Sequence, residues 1–125
     1  MRILLASVAI GCLSGCLSTE IEQSPQKQAV ADEVHATIMS SFDFPSDVSS
    51  GHSATAACIA WENGNVVNIS GVQGYFIDAR YAVGSNPMNH LRYTALGDCA
   101  AKKKASPPCD CRIIDENGSN RIAVP

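Results

Sequence analysis

Two Asn-Gly dipeptides, Asn63-Gly64 and Asn117-Gly118, each lie between two short runs of strand character, and this constrains the fold more than any other feature of the chain. Both residue types tolerate the positive φ of a two-residue hairpin turn, so each dipeptide predicts a reversal with antiparallel strands on either side. The first hairpin is expected over residues 54–72, with strands at 54–61 and 65–72. The second is expected over 110–125, with strands at 111–115 and 120–124. Gly71 and Gly74 bracket a bend or bulge, after which Tyr75, Phe76 and Ile77 offer a third strand.

Helical periodicity fills two of the remaining stretches. Val30, Val34 and Ile38 recur four apart, with Met39 and Phe42 widening the same face, which predicts a helix over 26–42. Pro25 suits its first turn, and Pro45 biases Phe44 away from helical angles and closes it. A second helix is expected over 86–104. Asn86 would cap it, Pro87 would open it, and Met88, Leu91, Ala95 and Cys99 would form its buried face. Ser106, Pro107 and Pro108 end it. The order helix, hairpin, third strand, helix, hairpin argues an α+β fold: a small antiparallel sheet of two hairpins, with one or two helices packed on one face. Residues 43–53, rich in Ser, Asp and Gly, read as a loop that could carry function.

The N-terminus reads as an address. Arg2 precedes an apolar run, residues 3–10, interrupted only by Ser7. That run is far shorter than the roughly 20 residues a membrane-spanning helix needs. It ends in Leu13, Ser14, Gly15 and Cys16, which resembles the lipobox of bacterial lipoproteins. The resemblance implies removal of residues 1–15 and lipidation of Cys16 on its thiol and new amine. Two or three acyl chains give effectively stable tethering where one gives only marginal binding. Cys12 is a rival acceptor that fits less well, because Ala9 would then stand where the aliphatic residue belongs. Residues 16–25 read as a lipidated tether, and 26–125 as one small domain of ordinary size. Leu17 is not the aspartate that resembles an inner-membrane retention signal, so the expected location is the periplasmic leaflet of the outer membrane.

With Cys12 in the leader and Cys16 under lipid, four cysteines remain: Cys58, Cys99, Cys109 and Cys111. An even number in an exported chain reads as two disulfides, and four cysteines allow three pairings. The stretch 93–117 resembles small secreted proteobacterial domains of unknown function. In these a helix ends in Ala, Leu, two residues and Cys, and a later strand begins Cys, Arg and aliphatics. Here those positions are Ala95, Leu96, Cys99, Cys111, Arg112, Ile113 and Ile114. The resemblance implies a Cys99–Cys111 bridge, and a Cys58–Cys109 bridge would then use the other thiol of the Cys109-Asp110-Cys111 motif. Two thiols one residue apart could alternatively serve as a redox pair or chelate a soft metal such as Cu(I), with Met88 and His90 as further donors.

Charge and motif patterns narrow the function classes. The chain carries net charge −3, and loss of Arg2 with the leader makes the domain slightly more acidic. Its only basic run is Lys102, Lys103 and Lys104, which complements a helix C-terminus, so nucleic acid is not an expected partner. His35, His52 and His90 have no zinc-site spacing, and Ser53 beside His52 lacks the strained turn of a nucleophile. Glu62, Asp78, Asp98, Asp110, Asp115 and Glu116 form no recognisable acid–base pair and are expected to be solvated. Gly71 and Gly74 lack the Lys-Ser/Thr ending of a phosphate loop. No catalytic residue, resident metal or cofactor is therefore expected. Among the aromatics, Trp61, Tyr75, Phe76, Tyr81 and Tyr93 mostly belong in or beside the core, and Tyr75 and Tyr81 are the candidates for a ligand surface. The reading is a lipid-anchored envelope protein acting as a binding or structural accessory module, with the membrane and an envelope protein as partners. The alternative is a periplasmic thiol-redox or soft-metal-handling protein using Cys109 and Cys111.

Overall fold

The computed structural model describes residues 23–42, 51–78, 80 and 86–125. The elements run α1 (Pro25–Met39), β1 (Gly51–Glu62), β2 (Asn65–Asp78), α2 (Pro87–Lys102), β3 (Cys111–Glu116) and β4 (Ser119–Asn120). The described strands form one antiparallel sheet in the order β2-β1-β3-β4, so the two hairpins join through β1 and β3. The fold is α+β. Both Asn-Gly turns form as expected, with positive φ at Asn63 (54°), Gly64 (78°), Asn117 (53°) and Gly118 (85°).

The two helices begin on side-chain caps. Ser24 Oγ accepts from Lys27 N–H at 3.2 Å with Pro25 in the first turn, and Asn86 Oδ1 accepts from Asn89 N–H at 3.2 Å with Pro87 following. α1 stops at Met39 rather than Phe42. The hydroxyls of Ser40 and Ser41 bond the Thr37 and Ile38 carbonyls at 2.7 and 2.6 Å, and such local bonds compete with helix continuation.

The helices cover both faces of the sheet, which corrects the expectation of a single covered face. Alternation along β1 explains it: nearly every residue of 53–60 is buried, so the strand carries two apolar stripes rather than one. Ala57, with Ile59 and Trp61 beside it, joins Ile114, Ile122 and Val124 against Ala31 and Ile38 of α1. Ala56 and Cys58 face Ala95 and Cys99 of α2, with Tyr75, Leu96 and Ile113 around them. The second interface is built of small side chains, which let α2 approach closely but bury little apolar area per residue.

Two of the three register shifts in the described sheet decide which helix the neighbouring side chains face. At Gly71 the pairing with β1 shifts, so β2 continues to Asp78 and absorbs the expected third strand at Tyr75, Phe76 and Ile77. Gly71 has φ +63°, and a Cβ there would lie 2.7 Å from Cys99 C=O. Only glycine meets both conditions. The second shift, opposite Thr55 and Ala56, places Ile114 in β3 as an extra residue. Ile113 packs on the α2 side and Ile114 on the α1 side, and the bulge then sends Asp115 to the α1 side and Glu116 to α2.

Other boundaries also move. α2 ends at Lys102, Gly51, His52 and Ser53 belong to β1 rather than to a loop, and residues 43–50 lie outside the described residues. β4 is two residues long, so the strand expected over 120–124 mostly does not form.

Candidate functional site

The short β4 opens a site at the edge of the sheet. β4 meets β3 only at Asp115–Asn120 and Glu116–Ser119, and Arg121 N–H adds a bond to Ile114 C=O at 2.8 Å. Ile122 and Val124 then turn into the apolar layer beneath α1. Gln23 serves their backbone there: its Nε2 donates to Ile122 C=O at 3.1 Å, and its Oε1 accepts from Val124 N–H at 2.7 Å. A side-chain amide offers the same donor and acceptor as a peptide unit, so Gln23 replaces the neighbour that β3 would have been. The C-terminal segment and β3 diverge.

A cleft of about 650 Å³ lies between them, within the range of roughly 300–1,000 Å³ that small-ligand sites occupy. β1 contributes Ala57, Ile59 and Trp61, and β3 contributes Arg112 and Ile114. Residues 121–125 form the opposite wall, and Cys109 and Asp110 also line the cleft. Trp61, the single tryptophan of the chain, is half-buried there. Arg112 is exposed and has no ion-pair partner among the described residues. Arg121 Nη2 lies 3.7 Å from Glu116 Oε2, but Arg92 already holds that carboxylate through bonds of 2.6 and 3.0 Å. Two guanidinium groups thus meet one side-chain carboxylate, Asp110, along an apolar surface.

The four cysteines lie close to this edge. Cys58 and Cys111 are direct cross-strand neighbours, yet each bonds elsewhere. Cys58 joins Cys109 with Cα atoms 5.5 Å apart, and Cys99 joins Cys111 with Cα atoms 6.0 Å apart. Cys58 and Cys99 are fully buried, and Cys109 and Cys111 are half-buried. Met88 is half-buried and His90 exposed on α2. Among the described residues no group of three or more His, Cys, Asp or Glu side chains is placed to hold a metal ion.

Beneath α1 lies a polar group that the sequence did not reveal. Asp115 is 0% exposed, which corrects its reading as a solvated carboxylate. Its Oδ2 lies 2.7 Å from His35 Nε2, and its Oδ1 accepts from Gly118 N–H at 3.1 Å. Thr55 is its cross-strand partner, and the buried hydroxyls of Thr55 and Ser53 have no hydrogen-bond partner among the described residues. The carboxylate ties α1 to β3 and closes the hairpin turn.

Glu116 and Asp98 are likewise engaged. Tyr75 O–H donates to Asp98 Oδ2, and that bond, ahead of desolvation, raises the phenol above its ordinary pKa. Tyr75 is half-buried against α2 with its hydroxyl engaged by Asp98, while Tyr93 is 82% exposed. Cys16 and Tyr81 lie outside the described residues. Sequence reasoning missed the cleft because its walls are set by Gln23, which reads locally as part of a polar tether.

No described helix is long and apolar enough to cross a membrane. In comparisons with known proteins, no family model, curated protein or solved structure matches the chain.

Proposed function

We propose that the protein is a lipid-anchored component of the bacterial cell envelope whose domain works as a binding module through the cleft beside β3. The observation that carries the binding role is the cleft itself, where half-buried Trp61 and Arg112, which has no ion-pair partner among the described residues, share one concave surface. Such surfaces combine apolar burial with a few orienting polar groups. The anchor rests on Leu13, Ser14, Gly15 and Cys16, with Leu17 favouring the periplasmic leaflet of the outer membrane. A tether would hold the domain within reach of an envelope protein.

Both parts can be tested in cells. Fatty-acid labelling should mark the wild type and not a Cys16→Ser variant, which should leave the membrane fraction; labelling that survives the substitution removes the anchor assignment. A photocrosslinker placed at Arg112 should give a discrete adduct that one at exposed Thr37 on α1 does not. Equal patterns at both positions defeat the cleft assignment.

The position of Cys109 in the cleft lining supports a second reading, thiol exchange or soft-metal handling through Cys109 and Cys111. It requires thiolates, and both sulfurs are bridged to different partners. Rapid alkylation of intact cells followed by mass mapping distinguishes the readings: alkylated Cys109 favours exchange, and unmodified bridges favour a structural framework.

A further inference from the structure

We infer that the cleft receives an extended polypeptide segment, which adds as a strand to the open edge of β3 and sets one acidic side chain against Arg112. The inference rests on the cleft being a ligand site and specifies what enters it. It begins with the backbone. Along an antiparallel strand, residues alternate in the neighbour toward which their N–H and C=O point. Ile114 C=O points toward the C-terminal segment, where it accepts from Arg121 N–H. The bulge interrupts that alternation. Ser53 turns its N–H and C=O toward β3, and so does Ala57, four residues along the unbulged β1. Its partner Arg112 therefore bonds β1, and Ile113, like Cys111, presents its N–H and C=O to the open side. Among the described residues no strand lies opposite those two, because pairing with β4 begins only at Asp115. β1 occupies the other side of β3 throughout Cys111, Arg112 and Ile113.

An unpaired edge is a template for another strand, and main-chain bonding there is a recurrent mode of peptide recognition. The open length, three residues at about 3.3 Å each, is roughly 10 Å. Ile59, Trp61 and Ile114 line the cleft with apolar side chains, which suit alternate residues of the entering segment. Its charge preference follows from the arginines. Arg112 has no carboxylate partner among the described residues, and the carboxylate near Arg121 is already shared with Arg92. Asp110 lines the same cleft and opposes a second acidic residue. The fitting ligand is therefore a mostly apolar strand with a single carboxylate.

The test uses the full oxidised chain in detergent and the acetylated, amidated pentapeptide Val-Glu-Val-Thr-Val. Trp61 emission reports occupancy, and hydrogen exchange at the Ile113 amide reports pairing. The expected result is saturable binding with slowed exchange at Ile113. Methylating alternate peptide nitrogens, replacing the glutamate with lysine, or introducing Arg112→Glu should each weaken binding by about tenfold, the loss expected for one charge-assisted or backbone bond. Arg112 is exposed, so an unchanged urea midpoint of the variant checks that the fold is intact. Equal affinity of the methylated peptide overturns strand addition. Decanoate supplies a carboxylate on an apolar chain without a peptide backbone. If decanoate binds and the pentapeptide does not, the inference falls and the cleft remains a ligand site; if neither changes Trp61 emission, both fall.

Discussion

Gly71 and Gly64 separate two costs that a glycine substitution can carry. Both have positive φ, but a Cβ at Gly64 meets nothing within 4 Å, whereas at Gly71 it would press on the backbone of Cys99 and Lys103. Gly64→Ala should cost only left-handed strain, about 1 kcal/mol. Gly71→Ala adds a steric clash that α2 can relieve only by lifting from the sheet, so its cost should reach about 3 kcal/mol. Urea midpoints of the two variants check the ordering; equal losses would mean that α2 shifts freely. His35 bears on a buried polar contact. His35→Ala leaves the carboxyl group of fully buried Asp115 with the Gly118 N–H as its one bond donor among the described residues. The expected loss is about 1–3 kcal/mol in urea unfolding. Asp115→Asn with His35 intact should cost less, since the amide can still hydrogen-bond both His35 Nε2 and the Gly118 N–H.

Between elements, Arg92 of α2 and Glu116 of β3 form the two-pronged bond that links the second helix to the strand at the far end from the bridges. The Arg92 hydrogen bonds, ahead of the opposing effect of desolvation, lower Glu116 from its ordinary value of 4.5. A depressed folded-state pKa means that the unfolded chain binds the proton more readily. The contribution is thus complete above about pH 4.5 and disappears as pH falls through the lower folded value. Asp32 and Asp78 are also depressed by their hydrogen bonds, so the wild type has several sources of acid sensitivity. Subtracting the urea-midpoint profile of Arg92→Met isolates Glu116: the difference should be steady at neutral pH and shrink below about pH 4.5. A difference unchanged down to pH 2 would assign Arg92 a packing role alone.

The same strand shows what a sequence conveys at this scale. The hairpin turns were legible because Asn-Gly states a backbone requirement within two residues, and the helices because apolar spacing repeats over several turns. The destinations of Asp115 and Glu116 were not, since regular alternation from Ile113 sends each to the opposite face. The bulge that reverses them depends on β1, some 60 residues earlier in the chain. The cleft was hidden for the same reason. Gln23 and Val124 meet from opposite ends of the domain, and neither has a local pattern that announces the contact.

For the whole molecule, the two bridges converge where the helix–sheet interface is poorest in apolar area. Ala56 and Ala95 separate α2 from β1 with little hydrophobic surface, and Cys99–Cys111 joins the end of that helix to β3 directly. Cys58–Cys109 joins the central strand to the segment that leads into the edge strand, spanning 51 residues against 12 for the other bridge. In the chain-entropy account, the loss on removing a bridge grows with the logarithm of the loop it closes, which gives about 4 kcal/mol for the longer loop and about 3 for the shorter. Packing reverses that ordering. Loss of Cys99–Cys111 leaves a small-residue helix interface with no covalent hold, whereas Cys58 stays enclosed by β1, α2 and its own cluster. The double variant Cys99→Ala/Cys111→Ala should therefore lower the urea midpoint at least as far as Cys58→Ala/Cys109→Ala, despite its shorter loop. It should also speed hydrogen exchange along α2 while β1 and β2 remain protected. A larger loss from the Cys58/Cys109 variant, with uniform exchange across the sheet and α2, would show that loop length alone sets the bridges' contributions.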